Sequence, residues 1–239
     1  MNNTETILQT YPWLAAPTDG SPLIAEGDVL RATGDGTAYA VQKSIPRLLT
    51  SAARVAADKA DAVLAAQTET RRDTQDMAVL RTLPYAMRPD EGPGPWLRKK
   101  ESWEILERAL DTANFFTVPS RIVDMGTGIG WLARRLSLRG AFVVALDCSM
   151  NERVGLGLAL RLAGDVQAPF LPVQADFTHP PILSGVADLV VFCDSLPVDP
   201  AATLARSATL LRPGGLLAIT DTPIYRKRRR RHGALPSNG

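Results

Sequence analysis

The chain predicts an α/β fold, with a doubly wound, mostly parallel sheet in its second half and a small β module in front of it. Three observations predict this. From Arg121 onward, short apolar strands alternate with helical patterns, which points to a parallel sheet covered on both faces. The first of these strands runs directly into a glycine-rich turn, Gly126 to Gly130. Residues 10–50 carry instead three strand-like pieces separated by glycine turns. At 239 residues, 45% hydrophobic and 22% charged, the chain has the balance of a globular protein. Disordered, collagen-like and all-coiled-coil classes are excluded.

The elements follow in order. Pro22–Ala25, Asp28–Ala32 and Thr37–Gln42 read as strands, with Gly27 and Gly34-Asp35-Gly36 as turns, giving a module over residues 1–50. Residues 51–82 are rich in alanine, and Val55, Val63, Leu64, Met77, Val79 and Leu80 fall near helical spacing, so one or two amphipathic helices are expected. Pro84–Pro95 breaks that pattern as a loop. Gly92 and Gly94 permit hinge motion there, so residues 51–95 form a helical linker with a lid as one reading of the loop and an ordinary linker as the other. Residues 96–116 read as a helix with Trp96, Trp103, Leu106 and Leu110 on its apolar stripe. The main domain spans residues 96–225. Its predicted strands are Arg121–Met125, Ala141–Leu146, Phe170–Gln174, Ala187–Phe192 and Leu216–Thr220. Its predicted helices are Leu132–Leu138, Asn151–Ala163 and Ala201–Leu211. Residues 226–239 form a basic tail expected to be disordered.

Charge and cysteine content narrow the function. Six of the 27 Lys and Arg residues lie in Arg226–Arg231, and without them the body carries a net charge of about −4. A basic face for nucleic acid is therefore not indicated, although the terminal run could engage phosphates. No apolar stretch approaches the length of a membrane helix, and the N-terminus lacks a secretory pattern. Cys148 and Cys193 are too few for a disulfide framework, so a reducing cytoplasm is expected, with both thiols in small apolar roles.

The segment Ile122-Val123-Asp124-Met125-Gly126-Thr127-Gly128-Ile129-Gly130 carries the most information. Glycines permit a tight turn and close ligand approach, and the amides of the following helix can face polar ligand atoms. A dinucleotide site wants Gly-x-Gly-x-x-Gly. The spacing here is Asp-x-Gly-x-Gly-x-Gly, which resembles class I S-adenosylmethionine-dependent methyltransferases. A nicotinamide site and a ligand-free turn are the alternatives.

Further motifs extend the resemblance. Asp147 ends the second strand, about 20 residues on, where an acid accepts hydrogen bonds from ribose hydroxyls. Cys148 stands beside it. The third strand runs into Asp176-Phe177, and the resemblance implies that Asp176 holds the adenine amino group and Phe177 packs on the ring. Helix N-capping by Asp176 is the rival reading. The fourth strand ends at Asp194, next to cofactor or substrate. Leu210-Leu211-Arg212-Pro213-Gly214-Gly215 matches the turn before the fifth strand. Gly130-Trp131-Leu132-Ala133, Gly155-Leu156-Gly157 and Asp221–Arg226 resemble a bacterial subgroup of these methyltransferases in which a small module precedes the catalytic domain. The resemblance implies a Rossmann-like sheet, S-adenosyl-L-methionine as cofactor, and Asp124, Gly126, Gly128, Gly130, Asp147, Cys148, Asp176, Phe177 and Asp194 as its cofactor-binding residues.

Through Leu14–Asp19, Leu23, Leu30, Tyr39 and Ile45–Leu49, with Asp19 and Asp35 as the only conceivable ligands, the N-terminal module is similar to the small zinc-ribbon-like domain that also serves as the activator subunit of tRNA, rRNA and release-factor methyltransferases. Where metal-binding members carry Cys-Pro-x-Cys, this chain has Ala16-Pro17-Thr18-Asp19, and the second cysteine region corresponds to Ala32–Asp35. Alanine offers no donor, so no metal is expected.

Methyl transfer needs alignment and water exclusion more than a dedicated base, so no catalytic residue is assigned. Asp194, His179, Tyr225 and Tyr85 are the candidates. His179 reads as a loop histidine, and Tyr85 and Trp96 as packing or covering groups. The sequence also stops short of the further helix and antiparallel hairpin that such folds carry, which leaves the fifth strand as an edge. Transfer to a small molecule is the leading reading. A non-catalytic cofactor-binding or partner subunit, paired with another protein or a second copy at that edge, is the alternative, and an RNA methyltransferase is a further one.

Overall fold

The computed structural model describes residues 3–68, 76–85, 95–164, 167, 169–197 and 200–222. Helix α1 (Asn3–Thr10) opens the chain, followed by an antiparallel sheet of β1 (Leu23–Glu26), β2 (Val29–Ala32), β3 (Ala38–Gln42) and β4 (Ile45–Pro46) in sequential order. The three predicted strands are present, and a fourth short one joins them. Helices α2 (Ser51–Thr68), α3 (Met77–Thr82) and α4 (Pro95–Thr112) connect to the main sheet. Helix α4 stops four residues earlier than the sequence pattern predicts. Asn114 turns left-handed at φ 53°, and Phe115–Thr117 closes a 3-10 turn instead.

The main sheet contains β5 (Arg121–Met125), β6 (Phe142–Asp147), β7 (Leu171–Gln174), β8 (Ala187–Cys193) and β9 (Leu211–Thr220), interleaved with α5 (Trp131–Leu138), α6 (Leu156–Ala163) and α7 (Ala201–Leu210). Its order is β7-β6-β5-β8-β9, and every pairing is parallel. The chain winds one way from β5 to β7, then crosses back to β8. The order therefore reverses between β5 and β8, where open α/β sheets place their ligands. Val123, Met125, Val144, Leu146, Val190 and Phe192 are buried on one face of the sheet. Ile122, Val143, Ala145, Leu189 and Val191 are buried on the other. Burial on both faces explains the unbroken apolar runs.

Two details refine the expected elements. The Arg212–Gly215 segment is not a turn ahead of the last strand but a bulge within it. Leu211 pairs with Ala187 and Leu216 with Leu189, so four residues stand opposite Asp188 alone. The Arg212 Nε–H donates to the Asp188 carboxylate across this bulge. The predicted helix from Asn151 begins instead at Leu156, because Asn151 Oδ1 caps the amides of Arg153 and Val154 in a turn.

The N-terminal module docks on the free edge of β7, where Pro172, lacking an N–H, suits an edge strand. Arg47 pairs with Gln174 in parallel, and the Leu48 N–H donates to Gln174 O at 2.9 Å. Leu14 bridges Ile182, and the Ala15 N–H donates to Pro181 O at 2.9 Å. Leu14, Leu30 and Leu48 are 0% exposed and belong to the same core as Val173 and Phe192. Among the described residues no helix is long and apolar enough to cross a membrane. The sheet ends at β9 among these residues, while the basic run, Tyr225 and most of the Pro84–Pro95 loop lie outside them.

Candidate functional site

The site lies at the carboxyl ends of β5, β6, β7 and β8. The β5–α5 turn needs glycine at each expected position, for different reasons. Gly126, Gly128 and Gly130 have φ of 80°, 54° and 81°, which L-residues rarely adopt. A Cβ on Gly126 would lie 2.4 Å from Ser195 Cβ and 3.0 Å from Phe177 Cζ. A Cβ on Gly130 would lie 2.7 Å from Phe170 Cζ, so this glycine lets α5 pack against Phe170 and α6. Gly128 has open space where its side chain would be. No atom of the described residues stands in the way of another molecule there.

Two acids hold this turn. Asp124 is 1% exposed beneath it and accepts a hydrogen bond from Thr127 Oγ1 at 2.7 Å. Burial, with the nearby Asp147 charge, pushes its carboxyl up to about 7, against the Thr127 bond that favours the charged form. Asp147 ends β6, and its Oδ2 accepts the Gly128 N–H at 2.9 Å while its Oδ1 accepts the Ser149 N–H at 3.0 Å. Its pKa is raised by burial, against the bonds from the Ser149, Gly128 and Cys148 backbone. The Gly126 and Thr127 amides both donate to Leu146 O, at 2.8 and 2.9 Å, which locks the turn against β6.

The remaining predicted residues surround this centre. Phe177 stacks edge-on against Phe192, with centroids 6.0 Å apart, and faces Gly126. Asp176 begins no helix, contrary to the capping alternative. Its Oδ1 accepts the Thr178 and His179 amides at 2.6 and 3.1 Å in a tight turn. His179 Nδ1 shares a hydrogen bond of 2.8 Å with Thr178 Oγ1 and stays half-exposed. Asp194 has a left-handed φ of 57°, and its Oδ2 lies 3.1 Å from Lys99 Nζ of α4. Cys148 lies at the exposed surface rather than in an apolar position, with its thiol partly covered, while Cys193 is half-buried, and desolvation of the thiols pushes them up to about 11 and 12. Neither has the low pKa of a nucleophilic thiol.

Tyr85 is not at the strand ends. Its ring packs under Arg135 of α5, 4.8 Å away, and Lys100 lies 5.9 Å from it. Trp96 packs edge-on against Trp131 at 5.9 Å. Sequence reasoning missed Ser195, which donates to Met125 O beside Gly126. It also missed Lys99 and Ser102 of α4, which reach Asp194 and Asp221. A helix known only by its apolar stripe does not reveal which polar side chains face the sheet. In the N-terminal module, Asp19 accepts the Ser21 and Asp35 amides and Asp35 accepts the Thr37 amide, so both carboxylates cap turns.

Parts of the chain resemble known proteins. A candidate S-adenosyl-L-methionine-dependent methyltransferase from Methanococcus maripaludis is 26% identical (TM-score 0.43), covering 52% of this chain and 56% of its own. Phosphoethanolamine N-methyltransferase 2 of Haemonchus contortus, solved with phosphomonomethylethanolamine and S-adenosylhomocysteine, is 26% identical (TM-score 0.42), covering 50% of this chain and 27% of its own. Magnesium protoporphyrin IX methyltransferase from Synechocystis, solved with bound S-adenosylmethionine, is 18% identical (TM-score 0.47), covering 63% of this chain and 71% of its own. The chain thus spans 56% and 27% of the length of the first two. No curated protein matches its sequence. The methyltransferase-domain family matches residues 97–237, well over half of the chain and all five strands of the main sheet. On that match, the chain belongs to the family of methyltransferase domains.

Proposed function

We propose that the protein transfers a methyl group from S-adenosyl-L-methionine to a small-molecule acceptor. The observation that carries this reading is the pairing of Asp147 with the open Gly128 turn at the point where the strand order reverses. The donor set fits the cofactor. A strand-end carboxylate suits two ribose hydroxyls, a turn with no side chain at Gly128 suits close approach, and Phe177 offers an apolar face to a base. The cofactor supplies an already activated methyl group.

The chain's own residues bind and orient. Asp147 accepts hydroxyl hydrogen bonds while Gly128 and Ser149 hold its oxygens in place. Asp124 and Gly130 shape the turn from beneath, and Gly126 keeps Ser195 and Phe177 close to it. Asp176 and Cys148 flank the adenine side. Asp194 and Lys99 form a charged rim where an acceptor would enter. On this reading the N-terminal sheet is the counterpart of a zinc-ribbon-like module in which Asp19 and Asp35 cap turns. The two free thiols suit a reducing cytoplasm.

The test is calorimetric titration with S-adenosylmethionine, S-adenosylhomocysteine and NAD. Micromolar affinity for the first two and none for NAD is expected. Asp147→Ala should weaken that affinity by about 1–3 kcal/mol, the cost of losing hydrogen bonds to a charged group. Unchanged affinity in the variant would remove Asp147 from the site.

A further inference from the structure

Helix α2 lies outside the methyltransferase match, which begins at residue 97, yet it reaches the loop that follows Asp147. Asp61 Oδ1 accepts a hydrogen bond from Ser149 Oγ at 2.5 Å, and Oδ2 accepts the Met150 N–H at 2.8 Å. Ser149 is the hub of that loop. Its N–H donates to Asp147 Oδ1 at 3.0 Å, its Oγ accepts the Asn151 N–H at 3.2 Å, and its carbonyl accepts the Leu156 N–H at 2.9 Å. Ser149 on one oxygen and Gly128 on the other therefore fix where the Asp147 carboxylate points.

Three features indicate that Asp61 fixes this position rather than merely touching it. The loop packs tightly on its other side, where a Cβ on Gly155 would stand 2.7 Å from both Ser149 O and Ser149 Oγ. On the α2 side packing is open instead. A cavity of about 670 Å³ runs along Asp61, Ala65, Met150 and Asn151, so the Asp61 hydrogen bonds hold the contact. Both carboxylate oxygens are aimed at one dipeptide, Ser149-Met150, a bidentate grip that sets orientation as well as distance.

We propose that Asp61 is a positioning residue for the cofactor site: through Ser149 it holds Asp147 in the orientation that meets the ribose hydroxyls. The helix joining the N-terminal module to the methyltransferase domain thus supplies part of the support for the cofactor site. This rests on the reading of Asp147 given above.

The experiment is titration of the full chain with S-adenosylhomocysteine, comparing the unaltered protein with Asp61→Ala, Asp61→Asn, Ser149→Ala, Asp61→Ala combined with Ser149→Ala, and Lys43→Ala. Lys43 pairs with Glu152 at 2.6 Å across the same junction but at its exposed surface, so it reports on docking alone. Circular dichroism melts confirm that each variant is folded at the titration temperature. Asp61→Ala is expected to weaken binding about tenfold or more. Asp61→Asn keeps one acceptor oxygen and should fall between the two. The double variant should bind no worse than about twofold below the weaker single, because both changes remove one linkage. Lys43→Ala should stay within about twofold of the unaltered chain, as exposed pairs contribute little. If Asp61→Ala does not fold, Asp61→Asn and Ser149→Ala carry the same comparison. Normal affinity in the Asp61 variants, or an equal loss in Lys43→Ala, would overturn the proposal while leaving the cofactor reading intact. Failure of the unaltered chain to bind would overturn both.

Discussion

At the residue scale, Gly126 and Gly128 differ in what surrounds them. Both hold left-handed backbone, which costs an alanine about 1–2 kcal/mol. Gly126→Ala adds a collision with Ser195 at 2.4 Å, and overpacking of that kind costs a further 1–3 kcal/mol or so. Gly128→Ala meets no atom of the described residues. Gly126→Ala is therefore expected to lower the melting temperature markedly. Gly128→Ala should lower it less, by the backbone cost alone, yet lose S-adenosylhomocysteine affinity, and calorimetry reads both quantities. Asp124 gives the pH prediction. Its folded pKa of about 7 lies above the unfolded 3.8, so its contribution to stability is full below pH ~4 and is lost as pH rises through ~7. Asp124→Asn removes that titration. Urea unfolding should show the Asn variant gaining stability relative to the unaltered chain between pH 4.5 and 8, and a gap independent of pH would show that Asp124 ionises without penalty.

At the element scale, the β6–α6 connection shows how local chemistry places the site. Gly155 and Gly157 let the Ser149–Glu152 turn lie against the start of α6, where a Cβ would sit 2.7 Å from Ser149 and Glu152 atoms respectively. Gly155→Ala is expected to cost about 1–3 kcal/mol and to displace the loop behind Asp147. Equal unfolding midpoints in guanidinium would contradict this. The late start of α6 was legible in principle, because Asn151 and Gly155 are both helix breakers. Helix α1 was not. Its eight residues carry one buried aliphatic, Ile7, too little periodicity to stand out.

At the scale of the whole molecule, the N-terminal sheet and the main sheet share one hydrophobic core through Leu14, Leu30 and Leu48. Leu14→Ala should therefore destabilise the entire chain by about 2–5 kcal/mol. Scanning calorimetry should show a single transition moving down in temperature. Two resolved transitions, with only one displaced, would mean that the module unfolds by itself. The described edge of the sheet at β9 exposes Leu216, Leu217 and Ile219 by about two fifths each, so β9 is the least buried of the described strands of the main sheet.

The sequence by itself determined the five parallel strands, the glycine turn and the acids at the strand ends, because each depends on local apolar runs or on backbone conformations that few residues adopt. Only the tertiary structure decided that Gly130 serves packing while Gly128 is open, that the Arg212–Gly215 segment is a bulge inside β9, and that Asp61, Lys99, Ser102 and Ser195 meet the site. Those residues lie far apart along the chain. Their side chains are polar groups of a kind found on any surface, and their partners are fixed only when the helices settle on the sheet.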